Sequence, residues 1–144
     1  MAVYTKINQK EINIINKKFN IDKIITFTGI KQGIENTNYL LNSKKKKYIL
    51  TIFEKRVLQK EIPFFMKLMD NLNSSKINCP KPLKTKNNKY LIKLKNKTAC
   101  IVSLLEGKDK KILNINDCYT VGKIIARMHM VTNTMKLNRK NYQI

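Results

Sequence analysis

Tryptophan is absent, and only 4 glycines, 3 prolines and 3 cysteines occur in 144 residues. So little glycine and proline excludes collagen-like and low-complexity chains. The cysteines, Cys79, Cys100 and Cys118, are odd in number and far apart, with no CxxC pair. That excludes a disulfide scaffold or a thiolate-clamped zinc site and predicts reduced, mostly buried small apolar side chains. No apolar run approaches the roughly 20 residues that span a bilayer. Met1-Ala2-Val3-Tyr4-Thr5-Lys6 is not followed by an apolar signal core, so the expectation is a cytoplasmic protein without membrane contact. Acidic residues are scarce, 9 against 30 basic, and scattered, so no metal site is expected within this segment. The one histidine, His129, has no second His or acid triad to recruit it and reads as a packed helix residue.

What is abundant is lysine. The formal net charge is +21, from 27 Lys and 3 Arg against 9 acids. A surface built to grip phosphates or guanine edges favours the planar arginine fork, which this chain almost lacks. Lysine, isoleucine and asparagine rise together, a pattern of A/T-rich coding rather than of a ligand. The lysines run along the whole chain. Their tightest cluster, Lys44–Lys47, falls where a hairpin tip is expected and reads as solvated charge. The hydrophobic share of 42% is enough for a packed core.

Asn8-Gln9-Lys10-Glu11 has the spacing of a capping box, and Ile12, Ile15 and Phe19 recur at helical intervals, predicting a helix over 9–19. Three β-rich segments follow, 23–30, 38–42 and 48–53, as an antiparallel meander. A second helix is expected over 58–72, with Pro63 near its start and Phe64, Phe65, Leu68, Met69 and Leu72 as its apolar stripe. The prolines of Asn78-Cys79-Pro80-Lys81-Pro82 mark a loop after it. Strands are expected over 90–94 and 98–105, the latter nearly all apolar. Asn116 or Asp117 would cap a third helix running to Val131. Met66, Met69, Met128 and Met130 read as core filler. Cys118, Val121, Ile124, Ile125, Met128 and Met130 widen the apolar surface of the third helix beyond one stripe, and the polar residues that follow offer nothing to cover it.

Two of the four glycines, Gly29 and Gly33, lie between the first two strands, in Thr28-Gly29-Ile30-Lys31-Gln32-Gly33-Ile34-Glu35-Asn36-Thr37-Asn38-Tyr39-Leu40-Leu41. A bend of this composition serves as a plain hairpin turn or presents backbone N–H groups to an anion.

With Tyr48-Ile49-Leu50-Thr51-Ile52-Phe53-Glu54-Lys55-Arg56, Pro63-Phe64-Phe65, Cys79-Pro80, Leu105-Glu106-Gly107-Lys108 and Val121-Gly122 through Ala126-Arg127-Met128-His129, this stretch resembles the homoserine kinases of the aminoglycoside phosphotransferase and choline kinase group, which are protein-kinase-like enzymes. The resemblance runs nearly end to end and keeps the family's order. It implies an α+β kinase N-terminal lobe over 1–105, a five-stranded antiparallel sheet with packed helices, then a hinge and the first helix of a C-terminal lobe over 106–144. The implied reaction is phosphoryl transfer from ATP, with Mg²⁺, to L-homoserine in threonine biosynthesis. Gly33, Ile34, Glu35, Asn36, Thr37 and Asn38 would form the phosphate loop. Ser103, Leu104, Leu105 and Glu106 would be the adenine hinge, and Glu61 a partner for the nucleotide lysine. Where the wider fold carries a third-strand lysine, this chain has Thr51, with Lys55 and Arg56 just beyond. The family's His-x-Asp-x-x-x-x-Asn catalytic loop does not occur, since His129 is followed by Met130, Val131 and Thr132. The resemblance therefore places no catalytic residue and no metal ligand in this segment, and implies inactivity alone and a possible complementing C-terminal polypeptide. Rival readings are a kinase for another small alcohol (choline, an aminoglycoside, methylthioribose) and a basic nucleic-acid-binding module, the latter favoured by charge alone.

Overall fold

Asn8 opens the first element. Its side chain accepts from the backbone N–H of Lys10, and Glu11 reaches back to the Asn8 N–H at 2.8 Å, the expected capping box, starting helix α1 (Gln9–Lys18). The computed structural model describes residues 3–54 and 58–136. Strands β1 (Ile24–Gly29), β2 (Thr37–Ser43) and β3 (Lys47–Ile52) follow, then helix α2 (Ile62–Ser74), strands β4 (Leu91–Leu94) and β5 (Lys97–Ser103), and helix α3 (Ile115–Asn133). The strands form one antiparallel sheet in the order β1-β2-β3-β5-β4, so the meander and the five-stranded sheet are as the sequence predicts.

Successive strand residues point to opposite faces, and the sequence uses this to build two different surfaces. Tyr39 and Leu41 of β2, Tyr48, Leu50 and Ile52 of β3, and Ala99 and Ile101 of β5 are buried on one face. They pack with Ile12 and Ile15 of α1, Phe19 and Leu94 into the main core. On the other face α2 covers only the β5 side, where Ile62 and Met66 bury Cys100 with Phe53, Phe65, Met69, Tyr90, Leu91 and Val102 around them. Burial pushes the Cys100 thiol up to about 12. Over β1, β2 and β3 this second face stays open. Its cross-strand rows are Thr28, Leu40, Ile49 and Val102, and beside them Asn38, Thr51 and Cys100.

The differences from the sequence reading have local causes. Helix α2 starts at Ile62 rather than Leu58, since Pro63 belongs in its first turn, and it runs on through Asn73 and Ser74. Its buried stripe is Ile62, Met66 and Leu72, while Phe64 and Phe65 lie half-buried and edge-on to each other. Helix α3 is capped by Asn114, and Asp117 closes that capping box from its third position instead of capping. Strand β5 ends at Ser103, leaving Leu104 and Leu105 in the connector. Helix α3 buries none of its side chains, so His129 and Met130 are exposed, and Cys118 is exposed too. The predicted uncovered apolar surface is there, with Val121, Ile124 and Ile125 52%, 48% and 46% exposed. No helix among the described residues is long and apolar enough to cross a membrane.

Candidate functional site

The bend between β1 and β2 lies on the surface. Residues 31–35 are exposed and Asn36 half-buried, and Gly33 has φ +108°, a backbone region open to glycine. Ile30 N–H donates to the Asn38 carbonyl at 2.9 Å and closes the base of the bend. Among the described residues the backbone N–H groups of residues 31–36 have no intramolecular acceptor. Such a bend leaves its backbone N–H groups open to water or to an anion's oxygens.

A strap made by the N-terminal segment holds this bend from the core side. Thr37 is 0% exposed, and its hydroxyl oxygen accepts the Tyr4 and Thr5 N–H groups at 3.0 and 3.1 Å. The Thr37 and Thr5 hydroxyls both donate to Glu54 Oε1 at 2.7 Å, and Lys97 closes an ion pair on Glu54 Oε2. Tyr39 donates its hydroxyl to the Thr5 carbonyl at 3.0 Å. Glu54 in turn gives its backbone N–H to Asn36 Oδ1 at 3.3 Å. Burial pushes the Glu54 carboxyl up, but the hydrogen bonds from Lys97, Thr5 and Thr37 and the lysine charge outweigh it and hold the group below its ordinary range. Gly29 is needed beneath the strap, because a Cβ there would stand 2.9 Å from Val3 Cγ2.

The strap also orients the bend. The Tyr4 hydroxyl donates to the Ile34 carbonyl at 2.9 Å. In a trans peptide the C=O and the following N–H point opposite ways, so fixing the Ile34 oxygen on Tyr4 turns the Glu35 N–H away from the strap.

The connector after β5 stands at the opposite end of that face. Thr37, at the bend, pairs with Ile52, whereas Tyr48, at the far end of β3, pairs with Ser103. At about 3.3 Å per residue, the seven residues of β2 separate the two ends by about 20 Å. Ser103 is held by Lys81, which takes its N–H and gives its own N–H to Ser103 Oγ, both at 2.9 Å. Leu104 N–H donates to the Lys47 carbonyl at 3.2 Å. Of the four residues expected at the hinge, Leu105 and Glu106 keep backbone N–H groups with no acceptor among the described residues.

Thr51 stands where the wider fold carries the third-strand lysine. It pairs with Asn38 on the open face, and its hydroxyl donates to Asn38 Oδ1 at 2.8 Å. Lys55 and Arg56 lie outside the described residues. Glu61 sits at the N-cap of α2, in αR conformation, one residue before the helix begins. Among the described residues no three His, Cys, Asp or Glu side chains gather as a metal site. That Tyr4, Thr5, Glu54 and Lys97 join in one strap had no local sequence signal, since Thr5 meets Glu54 and Lys97 across separations of 49 and 92 residues.

Similarity to known proteins follows the same outline. A spectinomycin phosphotransferase solved with ADP and spectinomycin superposes with a TM-score of 0.73 at 18% identity, over 96% of this chain and 43% of that one. An amicoumacin kinase solved with AMP-PNP, Ca²⁺ and its substrate superposes at 0.72 with 17% identity, over 95% and 45%. These likenesses establish the fold. In sequence, the homoserine kinase of Parvibaculum lavamentivorans is 36% identical over 141 residues, 98% of this chain and 44% of that protein. That of Paramagnetospirillum magneticum is 37% identical, over 98% and 43%. The chain thus spans less than half the length of the curated relatives it matches. The sequence model of the APH phosphotransferase enzyme family matches residues 26–141, and the chain belongs to that family.

Proposed function

We propose that this chain is the nucleotide-binding portion of an ATP-dependent homoserine kinase, with residues 1–105 as its N-terminal lobe and 106–144 as hinge and first helix of the next. The carrying observation is the pair of amide sets at the two ends of one open face: the exposed, acceptor-free N–H groups of 31–36, and those of Leu105 and Glu106. In this reading the bend from Gly33 to Asn38 receives the phosphates through its backbone. The half-buried Leu40 and Ile49 lie under the nucleoside, and Leu105 and Glu106 meet the adenine edge. Charge developing on the transferred phosphoryl group would be met by fixed N–H dipoles that need no reorganisation. When bound, Mg²⁺ neutralises phosphate charge, and its ligands belong to the portion of the enzyme these residues do not form.

The acceptor reading, L-homoserine, rests on the relatives' shared identity as homoserine kinases and on their coverage of 98% of this chain. The rival small alcohols are supported only through the fold. Against a nucleic-acid module, most aromatic side chains that could stack on bases are withdrawn, Tyr48 buried and Phe27, Phe53, Phe64 and Phe65 half-buried; the exposed Tyr4 and Tyr119 sit apart, on the N-terminal segment and on α3. The uncovered face of α3 is where we place the catalytic portion of the enzyme, whether continuous with this chain or a separate polypeptide.

A chimera tests the reading. Residues 1–141 replace the matched part of the Parvibaculum lavamentivorans enzyme, and the product is assayed with MgATP against L-homoserine, choline and an aminoglycoside. The expected result is O-phosphohomoserine from the chimera and none from the isolated chain, which has no His-x-Asp-x-x-x-x-Asn loop. A folded chimera that prefers another alcohol overturns the acceptor assignment. Turnover by the isolated chain overturns the division of labour between the two portions.

A further inference from the structure

We propose that the side-chain amide of Asn38, set in orientation by Thr51, is a phosphate-oxygen donor at the floor of the bend, doing with a neutral hydrogen bond what a third-strand cation does elsewhere in the fold. This rests on the nucleotide reading above.

Asn38 and Thr51 are directly opposed across β2 and β3 on the open face. The Thr51 hydroxyl donates to Asn38 Oδ1 at 2.8 Å. A carboxamide has one acceptor end and one donor end, so committing the oxygen to Thr51 turns the NH₂ the other way. That way leads under the bend, since a Cβ placed on Gly33 would lie 4.0 Å from Asn38 Nδ2. Gly33 has no Cβ, so the space between the NH₂ and the bend stays open. Among the described residues no acceptor engages this NH₂.

The Thr37 hydroxyl is spent in the strap, and Asn36 gives its Oδ1 to the Glu54 N–H while keeping its own NH₂. What sets Asn38 apart is that its NH₂ lies beneath Gly33 and its orientation is fixed by Thr51. Hydrogen bonds to charged oxygens are the stronger kind, so one well-placed NH₂ contributes measurably without carrying charge.

The test is a titration of the isotope-labelled 144-residue chain with MgATP, following backbone amides and the Asn38 side-chain NH₂ by NMR. The Asn38 NH₂ resonances are expected to move in step with Gly33 to Asn36. Asn38→Ala should weaken binding about tenfold, and Asn38→Asp, which replaces the donor with a negative acceptor, by more. Thr51→Val should weaken it severalfold while Thr51→Ser, which keeps the hydroxyl, restores it. A residue that merely supports the strands would not show that rescue or move the NH₂ signal. In an Asn38→Ala background, Thr51→Lys should recover affinity by supplying the missing cation. If the bend amides move but the Asn38 NH₂ does not, or if Asn38→Ala and Thr51→Val bind within about twofold of the parent, this inference fails and the nucleotide reading stands. If no amide of the bend responds, both fail. Unliganded core amide spectra report folding, and should Asn38→Ala not fold, the Thr51→Val and Thr51→Ser pair decides.

Discussion

Thr37 does at one residue what the bend needs from the whole strap. Its buried hydroxyl accepts two backbone N–H groups and donates to a carboxylate. Valine has nearly the same shape but leaves the Tyr4 and Thr5 N–H groups without their acceptor and Glu54 with one donor fewer. A buried polar group left without its partner costs about 1–3 kcal/mol. Thr37→Val should therefore lower the thermal midpoint by several degrees, and Thr37→Ser by much less. Calorimetry that finds Thr37→Val unchanged would show that the strap is dispensable. At this scale sequence reading separates into two kinds of residue. Gly33 announces itself, because few side chains other than glycine suit φ +108°. Thr37, Glu54 and Lys97 do not, since what matters is who they meet across the sheet.

Among the elements, the strap and the bend act as one unit hinged on Glu54. Its carboxyl titrates lower in the folded chain than in the unfolded one. Such a group contributes stability above its unfolded pKa and loses it as pH falls through the folded value. The contribution is therefore complete near neutrality and disappears in acid, below about pH 4, the ordinary carboxylate range. Glu54→Gln should lower the melting midpoint by a constant amount from about pH 7 to 5, with the gap to the parent closing below about pH 4. A gap that persists unchanged in acid would mean that the carboxylate charge is not what holds the strap. Element identity was largely legible in the sequence, because a period of 2 in the strands and of 3.6 in α1 follows directly from which face is buried. Boundaries were less so. The start of α2 slid to Ile62 because Pro63 tolerates only the first turn. The stripe of α2 was read in part: Leu72 is buried and Phe65 and Met69 pack against the Cys100 cluster, but Ile62 and Met66, its other buried members, were not assigned to it on so apolar a surface.

Across the whole molecule, two surfaces remain unaccounted for by the core. One is the apolar side of α3, which touches the rest of the chain through α2 and through the Arg127 guanidinium on the Ser75 carbonyl at 3.1 Å. An environment-sensitive dye should bind it, and Ile124→Lys with Ile125→Lys should abolish that binding while changing stability by no more than about 0.5 kcal/mol, since no α3 side chain is buried. Dye binding that survives the double change would put the exposed apolar surface elsewhere. The other surface is basic. A groove of about 640 Å³ beside edge strand β4 gathers Lys17, Lys18, Lys86, Lys89 and Lys93. Its cations are solvated and lie at the sheet edge away from β1 and β2, so it adds non-specific attraction for polyanions rather than a second site. The N-terminal-lobe architecture was legible from the order of elements together with the family's words in sequence. The strap was not, because a contact between residues 5 and 97 leaves no trace in local pattern.

The claim on which the account rests is that unpaired backbone amides of the bend hold a nucleotide's phosphates while Leu105 and Glu106 hold its base. Amide shift mapping on the labelled chain with three probes measures this directly. Tripolyphosphate should move Gly33 to Asn36, adenosine should move Leu105 and Glu106, and MgATP should move both sets together. Equal shifts spread over the lysines for every polyanion, with the bend silent, would contradict it.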